Sequence, residues 1–448
     1  MVYRIIIWIF LFLLPLHGFL VTVFQCKFGI NTDFLRFWKE LVVLGLLITL
    51  SARVLLHEKF SLKKIYKDNY LLWTVTAFTL CSLWYIYFPF FEIKAASILG
   101  FRYDVLFLFA LLIGLYLPQG QKDYSFYLRM IFISTFGILI VFLPWYVFGD
   151  IAKTVELFGY SPEVSTYTAN SCLSFSQNVD GHHRFQATFG GPIRFSVFIT
   201  IVYILFTGYI LARKTLSRNE KIILIWGYGA LVLPSIFFSY SKTSALWFLF
   251  GVGLFTFLVR KFVFGKKVTK KFLGYLGAAL SLPLLVIVIL KWELFLHLGA
   301  VLNRLENLSK SVEMFFYNPI GYGLWIAGPA SQIGNSIESA GNWQIATSSV
   351  AKVHRFLPEN WYVQILLEQG IVGLALFMSI IILIGVKLWG KMKSHKDYMS
   401  VALFSAYASL CFMGLFTHVF EEAATSYALF FLIGIYLSDT LHSHVHKK

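Results

Sequence analysis

The chain has 448 residues, 58% of them hydrophobic, 19% aromatic and only 13% charged, with a formal net charge of +16. That balance excludes an ordinary soluble domain, in which about a quarter of residues are charged. The basic excess alone would suit nucleic acid, but its distribution along the chain gives it another role, and no nucleic-acid partner is expected.

Apolar runs of roughly 17–25 residues, the length that crosses a bilayer as helix, recur from end to end. They lack period-2 alternation, so an all-α integral membrane protein is expected, with residues 1–448 as a single polytopic domain. The pattern predicts about twelve spans, with boundaries good to roughly 2–4 residues. They fall near 5–24, 37–56, 70–91, 103–117, 127–148, 193–212, 222–238, 244–263, 272–290, 361–386, 399–418 and 424–440. The first is too long for a typical signal core and no small-residue cleavage site follows it, so it reads as a retained helix. No internal repeat relates the two halves.

The loops that alternate with the chain ends are 52–69, 118–129, 213–221, 260–271 and 387–397. Together with the ends they hold about two thirds of the Lys and Arg but about a quarter of the acidic residues, the positive-inside pattern. Both termini are therefore expected in the cytoplasm, and the basic excess is a topology signal. Two long segments, 149–192 and 291–360, then face outward, and long polar-aromatic loops usually carry function. Within the second, Leu305, Leu308, Val312 and Phe315 repeat at helical spacing, which predicts an amphipathic helix over 301–316 lying on the membrane surface or across a site. Asn318-Pro319 followed by Gly321 and Gly323 ends it. Cys26 and Cys172 both fall on the outer side, where a disulfide would persist, while Cys81 and Cys411 show no metal spacing with them.

Basic residues on the outer side are not needed for topology and require another reason. Arg102 opens the fourth span, with Asp104 beside it; a plain ion pair with Asp104 or Glu92 is the alternative to substrate contact. Arg184 and Arg194 flank Gly190-Gly191-Pro192. Lys242 lies in the turn between spans seven and eight, Arg304 opens the amphipathic helix, and His354 and Arg355 precede Glu359 and Asn360. Gathered cations suit an anionic headgroup, a pyrophosphate above all, which Arg grips bidentately and Lys as a point charge. Glu359, expected in the first turn of the next helix, could serve as general base for a hydroxyl. Trp361 and Tyr362 are expected at the membrane–water interface, and Gly370 and Gly373 where a neighbouring helix approaches closely. Glu421 and Glu422, near His418, read as a solvated turn, with lining of a cavity as the alternative, and His442, His444 and His446 as a solvated tail. There is no DxD, HExxH or clustered Cys/His pattern, so chemistry without a metal cofactor is expected.

These residues carry a resemblance. HRFLPENWYVQILLEQGIVGLALF, with Asn360 followed by nine residues and then Gly370-x-x-Gly373, resembles the closing motif of the O-antigen polymerase and O-antigen ligase superfamily. The Arg184-x3-Thr-Phe-Gly-x-Pro192 run is similar to its first arginine motif, and SYSKTSAL to its cationic turn. RLENLSKSVEMFFYNPIGYGLW is similar to its arginine-led helix ending in an Asn-Pro, glycine-rich turn. The four matches come in family order over roughly 150–380. Ligases carry His where Glu359 stands, so the resemblance is to the Wzy-type polymerases; Ile193 and Lys242 depart from the usual Asn and Arg.

The resemblance implies a GT-C-like membrane glycosyltransferase, with about twelve helices and two long extracytoplasmic loops containing short helices, in the bacterial cytoplasmic membrane. It implies an undecaprenyl-pyrophosphate-linked oligosaccharide as both donor and acceptor, membrane lipid as surroundings, and a chain-length regulator protein as a further partner. Glu359 would be the catalytic base. Arg184, Arg304, Lys242, Arg194, Arg355, His354, Arg102 and Asn360 would bind substrate. The other readings are a ligase that transfers glycan to a lipid A core, and a lipid-linked oligosaccharide flippase or transporter. Against transport stand the missing repeat symmetry and charges at the boundary rather than the midplane.

Overall fold

The computed structural model describes residues 2–30, 33–57, 69–87, 94–118, 123–149, 157–160, 177–179, 182–272, 299–324, 326–328 and 358–443, with a few isolated positions besides. Eight helices among them are long and apolar enough to cross a membrane. They are α1 (Val2–Lys27), α3 (Tyr70–Tyr87), α4 (Lys94–Tyr116), α5 (Tyr124–Phe148), α6 (Pro192–Ala212), α7 (Arg218–Phe238), α8 (Lys242–Val263) and α10 (Trp361–His395). The chain is thus a multi-pass, all-α membrane protein. Joining these are α2 (Asp33–His57), with Arg36, Lys39 and Glu40 in its first two turns, and the shorter apolar α11 (Tyr398–Met413) and α12 (Ala423–Ser443). The amphipathic α9 (Gly299–Tyr317) forms where its spacing predicts. The expected span at 272–290 lies almost wholly outside the described residues, as do His354 and Arg355.

Three boundaries differ from the sequence reading, each for a local reason. α4 begins at Lys94 rather than near 103, because a helix can run through Arg102 once Glu40 neutralises it. α10 extends to His395 on good helix formers before Lys396 turns left-handed (φ 54°). α11 stops at Met413, closed by Gly414.

The core is built on helix contact without water. Along the α4–α12 crossing Gly114 and Gly434 face each other, and a Cβ on either would overlap a backbone carbonyl of the partner helix, Phe431 or Leu111. Small residues at such crossings let backbones approach closely, the main source of helix association in lipid. Beside it Phe107 packs on Phe430 (4.8 Å between centroids) and Phe420 (5.4 Å), and Phe377 on Phe420 (5.6 Å). Trp361 joins this cluster at 5.5 Å from Phe420 and is fully buried, so it is a core residue and not the interfacial anchor expected. Tyr362 donates its hydroxyl to the Cys411 carbonyl (2.6 Å).

One two-stranded antiparallel ribbon, β1 (Gln177–Val179) and β2 (His182–Arg184), stands among the described residues; nothing in the hydropathy pattern announced it. It delivers Arg184 to the bundle. Cys26 is disulfide-bonded, and Cys81 and Cys411 are free thiols; Cys172, the other cysteine assigned to the outer side, lies outside the described residues.

Candidate functional site

Direct contacts link several helix-connecting turns in succession around one end of the bundle, an open ring that runs from the β1–β2 ribbon to α9. Arg184 donates from Nε to the Ser239 carbonyl (2.8 Å), and Phe185 N–H to the Phe238 carbonyl (2.8 Å), so the ribbon is tied to the α7–α8 turn that carries Lys242. The Thr188 hydroxyl anchors the same loop on the Pro15 carbonyl of α1 (2.5 Å). Pro192 then opens α6, whose first turn presents Arg194 to Glu421 (2.6 Å) and Glu422 (3.9 Å) in the α11–α12 corner. That corner meets α10: Trp361 N–H donates to Gly414 (2.8 Å) and Asn360 Nδ2 to Leu415 (3.1 Å). Beside Asn360, Glu359 forms an ion pair with Arg304 at the start of α9.

Asn360 is the N-cap of α10, its side-chain oxygen accepting from Tyr362 N (3.0 Å) and Val363 N (3.1 Å), a bond pair worth about 1 kcal/mol. Glu359 therefore precedes the helix instead of occupying its first turn, and the macrodipole argument for it does not apply. Its φ is +48°. Left-handed backbone at a residue with a Cβ costs roughly 1–3 kcal/mol. The Arg304–Glu359 pair is about a third exposed on each side, and exposed ion pairs return about 0–1 kcal/mol. The pair does not offset the strain, so this geometry is not a stability device. Two further residues of the ring share it: Ala187 (φ 48°), three past Arg184, and Tyr240 (φ 46°), two before Lys242.

Arg102 does not open a span; it lies in the third turn of α4, stacked near Phe37 and Tyr103 and bonded through Nε to Glu40 (2.5 Å). Its partner is Glu40 and not Asp104, which accepts from Gln369, and Glu92 lies outside the described residues. Lys39 touches the same carboxylate (3.4 Å) and His17 Nε2 (2.7 Å), while Trp38 donates to His17 Nδ1 (3.1 Å). His418 is buried and the Glu421 side chain is only 4% exposed, correcting the solvated turn expected there. Burial pushes the Glu421 carboxyl up to about 7 against the opposing pull of Arg194. Burial, and then Arg194, take His418 down to about 3, so its imidazole is neutral and donates from Nδ1 to Gln364 Oε1 (2.5 Å). Burial lowers Arg184 to about 10, leaving it cationic at neutral pH.

Gly370 is not a helix-crossing site. It breaks α10, with φ 65° and ψ −167°, and the strap after α9 fills the break. Tyr322 N–H and Gly323 N–H donate to the freed carbonyls of Leu367 (2.8 Å) and Glu368 (2.9 Å), and Ile371 N–H to Pro319 (3.0 Å). Asn318 pins the strap through Nδ2 on Gly321 O (2.7 Å), and the Tyr85 hydroxyl donates to the Ile320 carbonyl. Unwound backbone at membrane depth is tolerated where protein satisfies it, as here. Gly373 abuts Gln369 of its own helix instead of a neighbour.

Around the break lies a polar network that sequence reasoning missed. Glu368 accepts from Ala327 N (3.2 Å) and Gln364 Nε2 (3.3 Å); Asp104 accepts from Gln369 Nε2 (2.7 Å), whose Oε1 accepts from Ser82 (2.9 Å). All five side chains are buried. The signal was available: Gln364, Glu368 and Gln369 interrupt an apolar run inside the closing motif, and such groups in a membrane helix need partners.

Of the sequence-predicted site residues, Arg184, Lys242, Arg194, Arg304, Glu359 and Asn360 stand on the ring, and Arg102 stands apart from it, on the Glu40 carboxylate that Lys39 also touches. No protein-family model matches the chain, and no curated protein matches it either.

Proposed function

We propose that this chain is a membrane glycosyltransferase of the GT-C type that polymerises undecaprenyl-pyrophosphate-linked oligosaccharide repeats at the membrane surface carrying the ring. The carrying observation is the strain: three of the four non-glycine residues with positive φ among the described residues sit in the turns of Arg184, Lys242 and Glu359. Strain concentrated in turns that also gather cations is a mark of a working site rather than of packing. An acceptor sugar hydroxyl would attack the anomeric carbon of the donor. The carbon–oxygen bond to pyrophosphate breaks with its electron pair going to the phosphate oxygen, and the hydroxyl proton goes to the Glu359 carboxylate. Arg184 and Lys242 face the charge that develops on the leaving group, the electrostatic contribution with the right sign. Arg304 orients the base. No step is routed through a metal.

The deciding experiment incubates purified full-length protein with a lipid-linked repeat and no second acceptor. A ladder of products spaced by one repeat is expected; a single unchanged species would sink the polymerase reading.

The orientation in this proposal, ring outside and termini in the cytoplasm, draws on the loop charge and on the Cys26 disulfide, which belongs to an oxidising compartment. In a background with Cys81 and Cys411 replaced by Ser, Lys310→Cys on α9 should react with an impermeant maleimide in sealed right-side-out vesicles. Lys267→Cys, beyond the far end of α8, should react only after lysis. The reverse order would invert the topology and remove the site from the outer surface.

A further inference from the structure

Beside the ring, between α1, the start of α2 and the Thr188–Gly190 loop, lies a cavity of about 240 Å³. It is smaller than the ~300–1,000 Å³ of pockets that enclose drug-sized ligands, so it fits a headgroup and not a whole oligosaccharide. Two guanidinium groups line it, Arg36 and Arg194, together with Gln25, Thr188, His17 and Glu422. Each arginine sits in the first turn of a long helix, α2 or α6, where the macrodipole already makes the end positive and a cation is disfavoured. Two positive helix ends and two arginines around one cavity make it attractive to an anion with several oxygens. Arg194 is held at 2.6 Å by Glu421 but only at 3.9 Å by Glu422, a loose contact that phosphate oxygens could replace. The disulfide at Cys26 and the 2.6 Å bond from Arg36 to Gln25 Oε1 fix the wall opposite.

The surroundings indicate where such an anion comes from. At the α1–α2 corner next to the cavity, Phe28, Ile30, Phe34 and Phe37 are between 40% and 69% exposed, an apolar rim on helices that face lipid. A soluble anion would have no use for that rim; a prenyl chain would.

We propose that this cavity seats the pyrophosphate of a second polyprenyl-linked chain, the acceptor, separate from the donor site at Arg184. The proposal rests on the transferase reading, since a polymerase must hold two lipid-linked chains at once. The test titrates undecaprenyl pyrophosphate, without glycan, into the full chain in nanodiscs and counts bound lipid by native mass spectrometry. The parent should bind two per chain. Arg36→Glu should keep one and weaken the other at least about tenfold, and Arg184→Ala should remove the complementary one. Arg36→Gln, a milder change with parental thermal unfolding as its control, should lie between. Arg36→Glu and Arg36→Gln binding two lipids as the parent does would overturn the proposal. Inorganic pyrophosphate displacing one lipid at equal concentration would also overturn it, by making the pocket a soluble-anion site. Two lipids on the parent and one on Arg36→Glu would support the pocket even if no polymer ladder forms, so failure of the transferase reading is seen separately.

Discussion

Glu359→Gln is expected to form polymer at least roughly a hundredfold more slowly than the parent while binding lipid-linked donor nearly as well, because positioned proton transfer contributes about 10²–10⁴-fold. The amide keeps the shape of the carboxylate and can still hydrogen-bond, but it cannot take the hydroxyl proton. Measured as initial rate against donor concentration, the loss should fall in kcat and leave KM little changed. The ion pair sharpens the companion experiments. Arg304→Lys keeps a cation beside Glu359 but loses the planar fork that fixes its direction, so an intermediate rate is expected, and Arg304→Ala should be slower still. On the proposed reading, Glu359→His introduces the residue found there in the O-antigen ligases that the closing motif resembles, and it should retain part of the activity. If Glu359→Gln polymerised at the parental rate, the strained turn would need another explanation and the base would lie elsewhere.

Gly370→Ala should disable the protein by a different route, through the fold of the seam. The backbone at Gly370 occupies a region open essentially to glycine, and a Cβ there would overlap the Ile320 carbonyl. Strain of about 1–3 kcal/mol, added to a steric clash with backbone that cannot swing away, places the change among the severe point mutations. The strap from Asn318 to Gly323 would be pushed off, leaving the carbonyls of Leu367 and Glu368 unpaired at membrane depth. A clearly lowered unfolding temperature in detergent and loss of polymer are both expected. The control is Gly385→Ala on the same helix, where the nearest atom to the new methyl is Tyr407 Cε1 at 3.6 Å, an ordinary contact. Helix propensity should make that change neutral or stabilising by up to about 1 kcal/mol. A Gly370→Ala protein as stable as the Gly385→Ala one would show that the break is not required.

What was legible in the sequence was whatever depends on hydropathy and charge over many residues. That the chain is an all-α, multi-pass membrane protein and that α9 is amphipathic could be read from run lengths and periodicity. What was not legible depends on single partners. Arg102 looked like a loop cation because its neutraliser, Glu40, is distant in sequence, and the same pairing hid the first two turns of α4. Glu421 and His418 looked solvated because their burial is created by α6 and α10 rather than by their own neighbours. Gly370 and Gly373 matched a helix-packing spacing, and only the strap after α9 distinguishes a break from a crossing. Glu359 lies two positions ahead of the first turn expected for it, because Asn360 is an ordinary cap and the helix starts only at Trp361.

The ring of short turns also bears on how such a protein can drift over generations. The cations and strained residues of the ring occupy a small number of positions at helix ends, whereas most of the described residues are helix surface facing lipid or packed among apolar neighbours. Such surfaces accept exchange of one apolar residue for another of similar volume at small cost. Two descendants could therefore keep the same turns, the same cations and the same broken helix while sharing few identical residues elsewhere. Kinship among proteins built this way would be carried by the spacing of sparse polar and glycine positions, and overall identity would fall long before the chemistry did.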